Sequence, residues 1–150
     1  MKLQFLCPTH HQQLSTNPSY AISCWQSGLD TAKSLIDAAQ WDDALIHIGC
    51  AFESAEIIMT SGAISRHQAC DIFASSAVKL ADLFIKVGKR QQAQLVYSLT
   101  IARLKQEQHR HSDCSQLIAQ LLNEIEEKTK RLTGLTNSRT IVDELTAILH

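Results

Sequence analysis

Residues 39–53, AQWDDALIHIGCAFE, constrain the fold most, because they join a break in the chain to a helix-type apolar repeat. Their apolar side chains follow at intervals of three or four residues, from Trp41 through Ala44 and Ile48 to Ala51. This spacing puts side chains on one stripe of an α-helix. The stretch therefore predicts a tight turn between two helices, followed by the packing face of the second helix.

The same apolar spacing recurs along the chain and predicts six helices, near residues 17–38, 41–60, 65–87, 90–108, 113–132 and 138–149. Gly62 and Gly134 are expected in the breaks between helices. Both prolines fall within the first eighteen residues, and long runs of β-branched residues are missing. Short connections between helices favour antiparallel pairs, so the sequence predicts an all-α fold of three stacked hairpins.

The 150 residues fit one domain, which we place at residues 17–150. Residues 1–16 precede the first predicted helix, and we expect them to form an N-terminal tail that is extended or flexible. Five widely spaced cysteines without a secretory signal predict a reduced, cytoplasmic setting. No run approaches the roughly 20 apolar residues that span a bilayer, so no membrane partner is expected.

Two stretches of the chain resemble units of the tetratricopeptide repeat family. In that family small residues stand where the helices cross, and an aromatic residue flanks the turn. The first unit matches at Ala32, Leu35, Ala39, Trp41, Ala44, Ile48 and Ala51. The second matches at Ala81, Phe84, Gly88, Ala93 and Tyr97. The match covers residues 28–104, but its units are 49 residues apart instead of about 34, and Arg90 and Thr100 depart from the pattern.

The resemblance implies a non-enzymatic module that binds a protein or peptide in the concave surface between hairpins. The third predicted hairpin would then cap the stack, as the ends of repeat arrays require. A homodimer through an unpaired hairpin face is an alternative. No serine nucleophile context, glycine-rich phosphate loop or Walker-type lysine occurs in the sequence, so no enzymatic activity is expected.

A Cys/His cluster near the N-terminus suggests a metal-sensing or regulatory protein as a second hypothesis. A thiolate and imidazoles at this spacing can bind a soft cation such as zinc. Four ligands would require the tail to meet a second group near residue 111. The candidate ligands are Cys7, His10, His11, His109, His111 and Cys114. A polar tail in a chain with seven histidines accounts for the same pattern.

A basic stretch at residues 79–111 supports a third hypothesis, because it holds seven Lys/Arg against two Asp/Glu in a chain of net charge −1. It could steer an acidic peptide or contact nucleic acid weakly. The candidate partner-binding residues are Lys86, Lys89, Arg90, Arg103 and Lys105. A solvated helix exterior is the favoured explanation, and the aromatic residues of the stretch, Phe84 and Tyr97, are expected to point inward, which disfavours nucleic acid.

Several conspicuous side chains have structural explanations. Asp42 and Asp43 fall in a first helical turn, where carboxylates meet the helix dipole favourably. His47 stands beside the apolar stripe and is expected to be partly buried and hydrogen-bonded. Trp25 and Trp41 could anchor a partner peptide, but their helical spacing predicts that both lie in the core.

Overall fold

A computed structural model describes the backbone of residues 3–149 and the side chains of residues 3–134. Its described residues form six α-helices and no strand, which confirms the all-α prediction. A short 3-10 turn at Ser112–Cys114 precedes the last helix. The helices are α1 (Pro8–Thr16), α2 (Pro18–Asp37), α3 (Trp41–Ser61), α4 (Arg66–Lys86), α5 (Arg90–Arg110) and α6 (Ser115–Leu149).

The turns after α2 and α4 have the same hydrogen-bond pattern. After α2, Gln40 N–H donates to the Leu35 carbonyl at 2.8 Å, and Ala39 N–H donates to the Ile36 carbonyl at 2.9 Å. After α4, the equivalent amides are those of Lys89 and Gly88. This pattern is the Schellman motif, which needs a left-handed residue just past the helix. Ala39 with φ 57° and Gly88 with φ 81° supply it, so the hairpins α2–α3 and α4–α5 close in the same way.

Helices that are consecutive in sequence pack against each other around one main core. Ala44, Ala51 and Ala93 are completely buried, as their places at predicted helix crossings require. The rings of Phe52 and Phe73 stack at 5.2 Å and join α3 to α4. The described architecture is therefore a compact array of helical hairpins, as the apolar spacing predicted.

Gly28 sets the distance between α2 and α3. A Cβ atom at this position would lie 2.9 Å from the His47 carbonyl oxygen and 3.2 Å from the Ala51 Cβ. Real Cβ atoms do not approach backbone this closely, so only glycine fits without a shift. The small residues Ala21, Gly28 and Ala32 are the buried residues of α2.

Two helix predictions differ from the structure. Residues 8–16 form α1 instead of an extended or flexible tail, because Pro8 suits a first helical turn, the Cys7 sulfur caps it, and Leu14 is fully buried. At the other end, α6 continues through Gly134, where a break was expected. A single glycine costs a helix only about 1 kcal/mol. The predicted fifth and sixth helices are thus one helix, and the third hairpin does not form.

Three side chains lie in other surroundings than expected. His47 is exposed on α3 instead of partly buried. Trp25 and Trp41 are half-buried and pack against the main core from its edge.

The predicted apolar stripe of residues 138–149 lies outside the residues whose side chains the structure describes. Across residues 3–149, no helix has the length and apolar character of a bilayer-spanning segment.

Candidate functional site

A groove of about 730 Å³ lies between α2 and α4, above the start of α3. Its apolar lining comes from all three helices: Leu29, Ile36, Trp41, Ile48 and Leu83. Leu29 and Ile36 are spaced by one heptad on α2, so they project from the same side of the helix. Grooves of this size and composition suit a small molecule or a peptide side chain.

Two tryptophan contacts bound this groove along its length. At one end, Trp25 Nε1–H on α2 donates to the Ser76 hydroxyl on α4 at 2.9 Å. At the other end, the Lys86 ammonium of α4 lies 4.7 Å from the ring centroid of Trp41. Such a cation–π contact stabilises the pair modestly at an accessible site. Each indole therefore connects the first hairpin to α4, and the groove lies between the two connections.

The rim of the groove carries charges of both signs. Asp30 and Lys33 come from α2, and Lys79, Asp82 and Lys86 come from α4. Burial raises the pKa of Asp82 above its usual value, and the Lys128 ammonium on α6 acts in the opposite direction. The rim thus holds three cations and two carboxylates, which gives it a slight preference for an anionic group.

A second, smaller cleft of about 260 Å³ continues on the other side of α4. It is lined by α4 and α6, with Val78, Leu121 and Ile125 as its larger apolar side chains. Lys79 lines both clefts. The alternate helices α2, α4 and α6 therefore present neighbouring clefts along one face of the molecule, which we call the α2/α4/α6 face.

The predicted partner-binding residues do not form one patch. Lys86 lines the groove, and it also lines a second cleft of about 550 Å³ around the turn at Gly88, together with Lys89 and Arg90. Arg103 lies about 20 Å from Arg90 along α5, and Lys105 is exposed on the same helix. The basic stretch is thus divided between the second half of α4, the turn at Gly88 and α5, and only its first part reaches the α2/α4/α6 face.

Arg103 takes part in an ion-pair network inside the array. Its guanidinium contacts the Glu107 carboxylate at 2.8 Å and the Glu56 carboxylate of α3 at 3.8 Å. It also donates to the Thr60 hydroxyl at 3.0 Å. Glu107 is only 3% exposed, and a buried carboxylate needs such a partner. Arg103 therefore joins α5 to α3, and its charge is already neutralised within the chain.

The predicted metal ligands have other partners. The Cys7 sulfur accepts the His10 N–H at 3.4 Å, and the His10 ring lies 6.0 Å from that of Tyr20. Cys114 lies 3.4 Å from Nδ1 of His67, which was not among the expected ligands. Burial, followed by the Asp113 carboxylate, raises the pKa of the Cys114 thiol.

Metal binding receives no support from the remaining geometry. Among residues 3–134, no three His, Cys, Asp or Glu side chains are placed to hold a metal ion together. His11 lines a small cleft beside Glu56, and His111 lines one beside Glu107. His109 is exposed near the end of α5. The zinc set of Cys7, His10, His11, His109, His111 and Cys114 therefore stays a prediction.

Sequence reasoning missed the groove itself and the role of Glu53. The residues that line the groove belong to the apolar stripes of their helices. Helical spacing predicts that their side chains lie on the packing face, but it does not predict that a groove lies beside them. Glu53 accepts hydrogen bonds from the backbone of Phe5 and Leu6. The sequence signal for this role was the position of Glu53, a carboxylate at the edge of the apolar stripe of α3.

Comparison with known proteins finds no matching family, no similar curated protein and no similar solved structure. Function is therefore inferred from the geometry of the groove and from the repeat-like arrangement of the hairpins.

Proposed function

We propose that this chain is a tetratricopeptide-like module without enzymatic activity, and that its groove between α2 and α4 binds a peptide segment of a partner protein. The observation that carries the proposal is the groove, with its apolar floor and charged rim on the α2/α4/α6 face. The repeated turns after α2 and α4 and the buried alanines at the crossings support the family resemblance.

The lining of the groove suggests the chemistry of the ligand. Leu29, Ile36 and Trp41 offer a partly exposed apolar surface for one or two apolar side chains, and the burial of such anchors favours binding in a groove. Lys33 and Lys79 stand on opposite sides, on α2 and α4. We infer a segment with apolar anchors and at least one acidic residue, whose charge orients the peptide more than it strengthens the binding.

A selection from random displayed peptides tests this proposal. Wild-type protein should enrich peptides that combine apolar and acidic residues. Lys33→Glu/Lys79→Glu reverses two exposed charges of the rim and should greatly weaken the binding of those peptides, because the two new carboxylates repel their acidic residue. Lys105→Glu/Lys130→Glu changes the net charge equally at exposed positions outside the groove, and should retain it. Loss of binding in both double variants would show a general charge effect, and no enrichment by the folded wild type would refute the proposal.

A further inference from the structure

Residues 3–7 run without helical structure along the outer side of α3 before α1 begins. The backbone N–H groups of Phe5 and Leu6 donate to the two carboxylate oxygens of Glu53, the second at 3.1 Å. Hydrogen bonds to an ionised acceptor are stronger than those between neutral groups. The Cys50 thiol adds a weak contact to the Phe5 carbonyl at 3.9 Å.

The ring of Phe5 occupies a notch that only glycine leaves open. The three atoms nearest to a Cβ built on Gly49 all belong to this ring, and they would overlap it. Phe84 of α4 lies 6.5 Å from the ring on the other side. The next residue, Leu6, is 3% exposed and packs with Leu14 in a second small core.

These contacts depend on features that a segment of another protein can also offer. Glu53 binds main-chain N–H groups, which every residue except proline offers. The side-chain contacts require an aromatic residue followed by a leucine-like residue, while Gln4 beside them is exposed. The binding mode is that of a short extended peptide on a helical surface, with backbone contacts for affinity and two side chains for specificity.

We propose that the α3 surface around Gly49 and Glu53 is a second peptide-binding site, whose ligand is an extended partner segment with phenylalanine followed by leucine. Residues 3–6 occupy this site within the chain, and a partner segment of the same chemistry displaces them. Displacement is feasible because residues 3–6 have no helical structure and precede α1, so they can leave the α3 surface without breaking a helix. Once vacated, the site exposes an apolar notch and a carboxylate without its two donors, and both favour a replacement.

The test uses the full-length chain and the blocked peptide LQFLSP, which copies residues 3–8 with serine in place of Cys7. Phe5→Ala weakens the built-in occupant, so this variant should bind the peptide about tenfold more tightly than the wild type, whose own segment competes. A peptide with alanine in place of phenylalanine should not bind. Fluorescence anisotropy measures the affinities, and circular dichroism confirms that each variant is folded.

A second variant keeps the test decisive. Gly49→Ala in the Phe5→Ala background should fold, because the atoms nearest the new methyl group are absent there, yet the filled notch should abolish peptide binding. Lys33→Glu/Lys79→Glu should leave it intact, which separates this site from the groove. A folded Phe5→Ala chain that binds no better than the wild type would overturn the proposal, as would unchanged binding after Gly49→Ala. Dimerisation of the wild type that Phe5→Ala abolishes would assign the site to a second copy and overturn the partner assignment.

Discussion

Replacing Gly28 by alanine tests whether small residues at the crossings set the helix spacing. The new Cβ would meet the His47 carbonyl oxygen at 2.9 Å, and a backbone atom cannot move aside as the end of a side chain can. Overpacking of this kind costs about 1–3 kcal/mol. Alanine in place of glycine also favours the helix by about 1 kcal/mol. The net loss in the free energy of unfolding should therefore lie between roughly 0 and 2 kcal/mol.

Gly134→Ala on α6 is the matched control. It makes the same exchange inside a helix, at a position where an added Cβ has no neighbour within 4 Å. This variant should gain about 1 kcal/mol, because the helix preference acts alone. Because both variants gain the same helix preference, they should differ only by the cost of overpacking. Urea unfolding should therefore give free energies of unfolding about 1–3 kcal/mol apart, with a Tm difference of at least about 2 °C. Equal stabilisation by both exchanges would refute the close approach of α2 and α3.

Three further predictions concern the turns after α2 and α4, the ion-pair network of Arg103 and the buried thiol of Cys70. Ala39→Gly should raise the free energy of unfolding by about 1 kcal/mol and Gly88→Ala should lower it by a similar amount, because both positions are left-handed; effects of the same sign would contradict the turn geometry. Arg103→Ala should cost about 3 kcal/mol in urea unfolding, since it leaves the buried Glu107 carboxylate unpaired, and a loss below 1 kcal/mol would argue that the carboxylate is solvated. Burial raises the pKa of the Cys70 thiol to about 11, above its value in the unfolded chain. The free energy of unfolding should therefore be constant below about pH 8.5 and fall as the pH rises towards 11. The fall should be smaller in Cys70→Ala, and a pH profile identical to that of the wild type would show that Cys70 does not cause it.

The sequence predicted the helices α2 to α5 well because their boundaries depend on local signals. The left-handed turns at Ala39 and Gly88, the cap at Ser65 and the buried Ala44 all act within one or two helical turns. The interruption expected at Gly134 was wrong for the same reason, because a single glycine is a weak local signal that the rest of a long helix overrides.

The sites were less predictable, since they depend on residues far apart in the chain. The groove exists because α2 and α4 are held apart over α3, and only Lys86 among the predicted partner-binding residues lines it. The site around Glu53 requires contacts between positions 47 and 48 residues apart. Helical spacing shows which side of α3 is apolar, but not that residues 3–6 lie along its outer edge.

The most direct test of the proposed function is to map where a selected peptide binds, using backbone amide chemical shifts of the whole chain during a titration. The groove predicts that the largest shifts occur on α2 around Lys33 and Ile36 and on α4 around Lys79 and Leu83, with the Trp41 indole N–H shifting as well. Shifts confined to the outer surfaces of α3 and α5, around Ile46 and Leu99, would contradict peptide binding between α2 and α4.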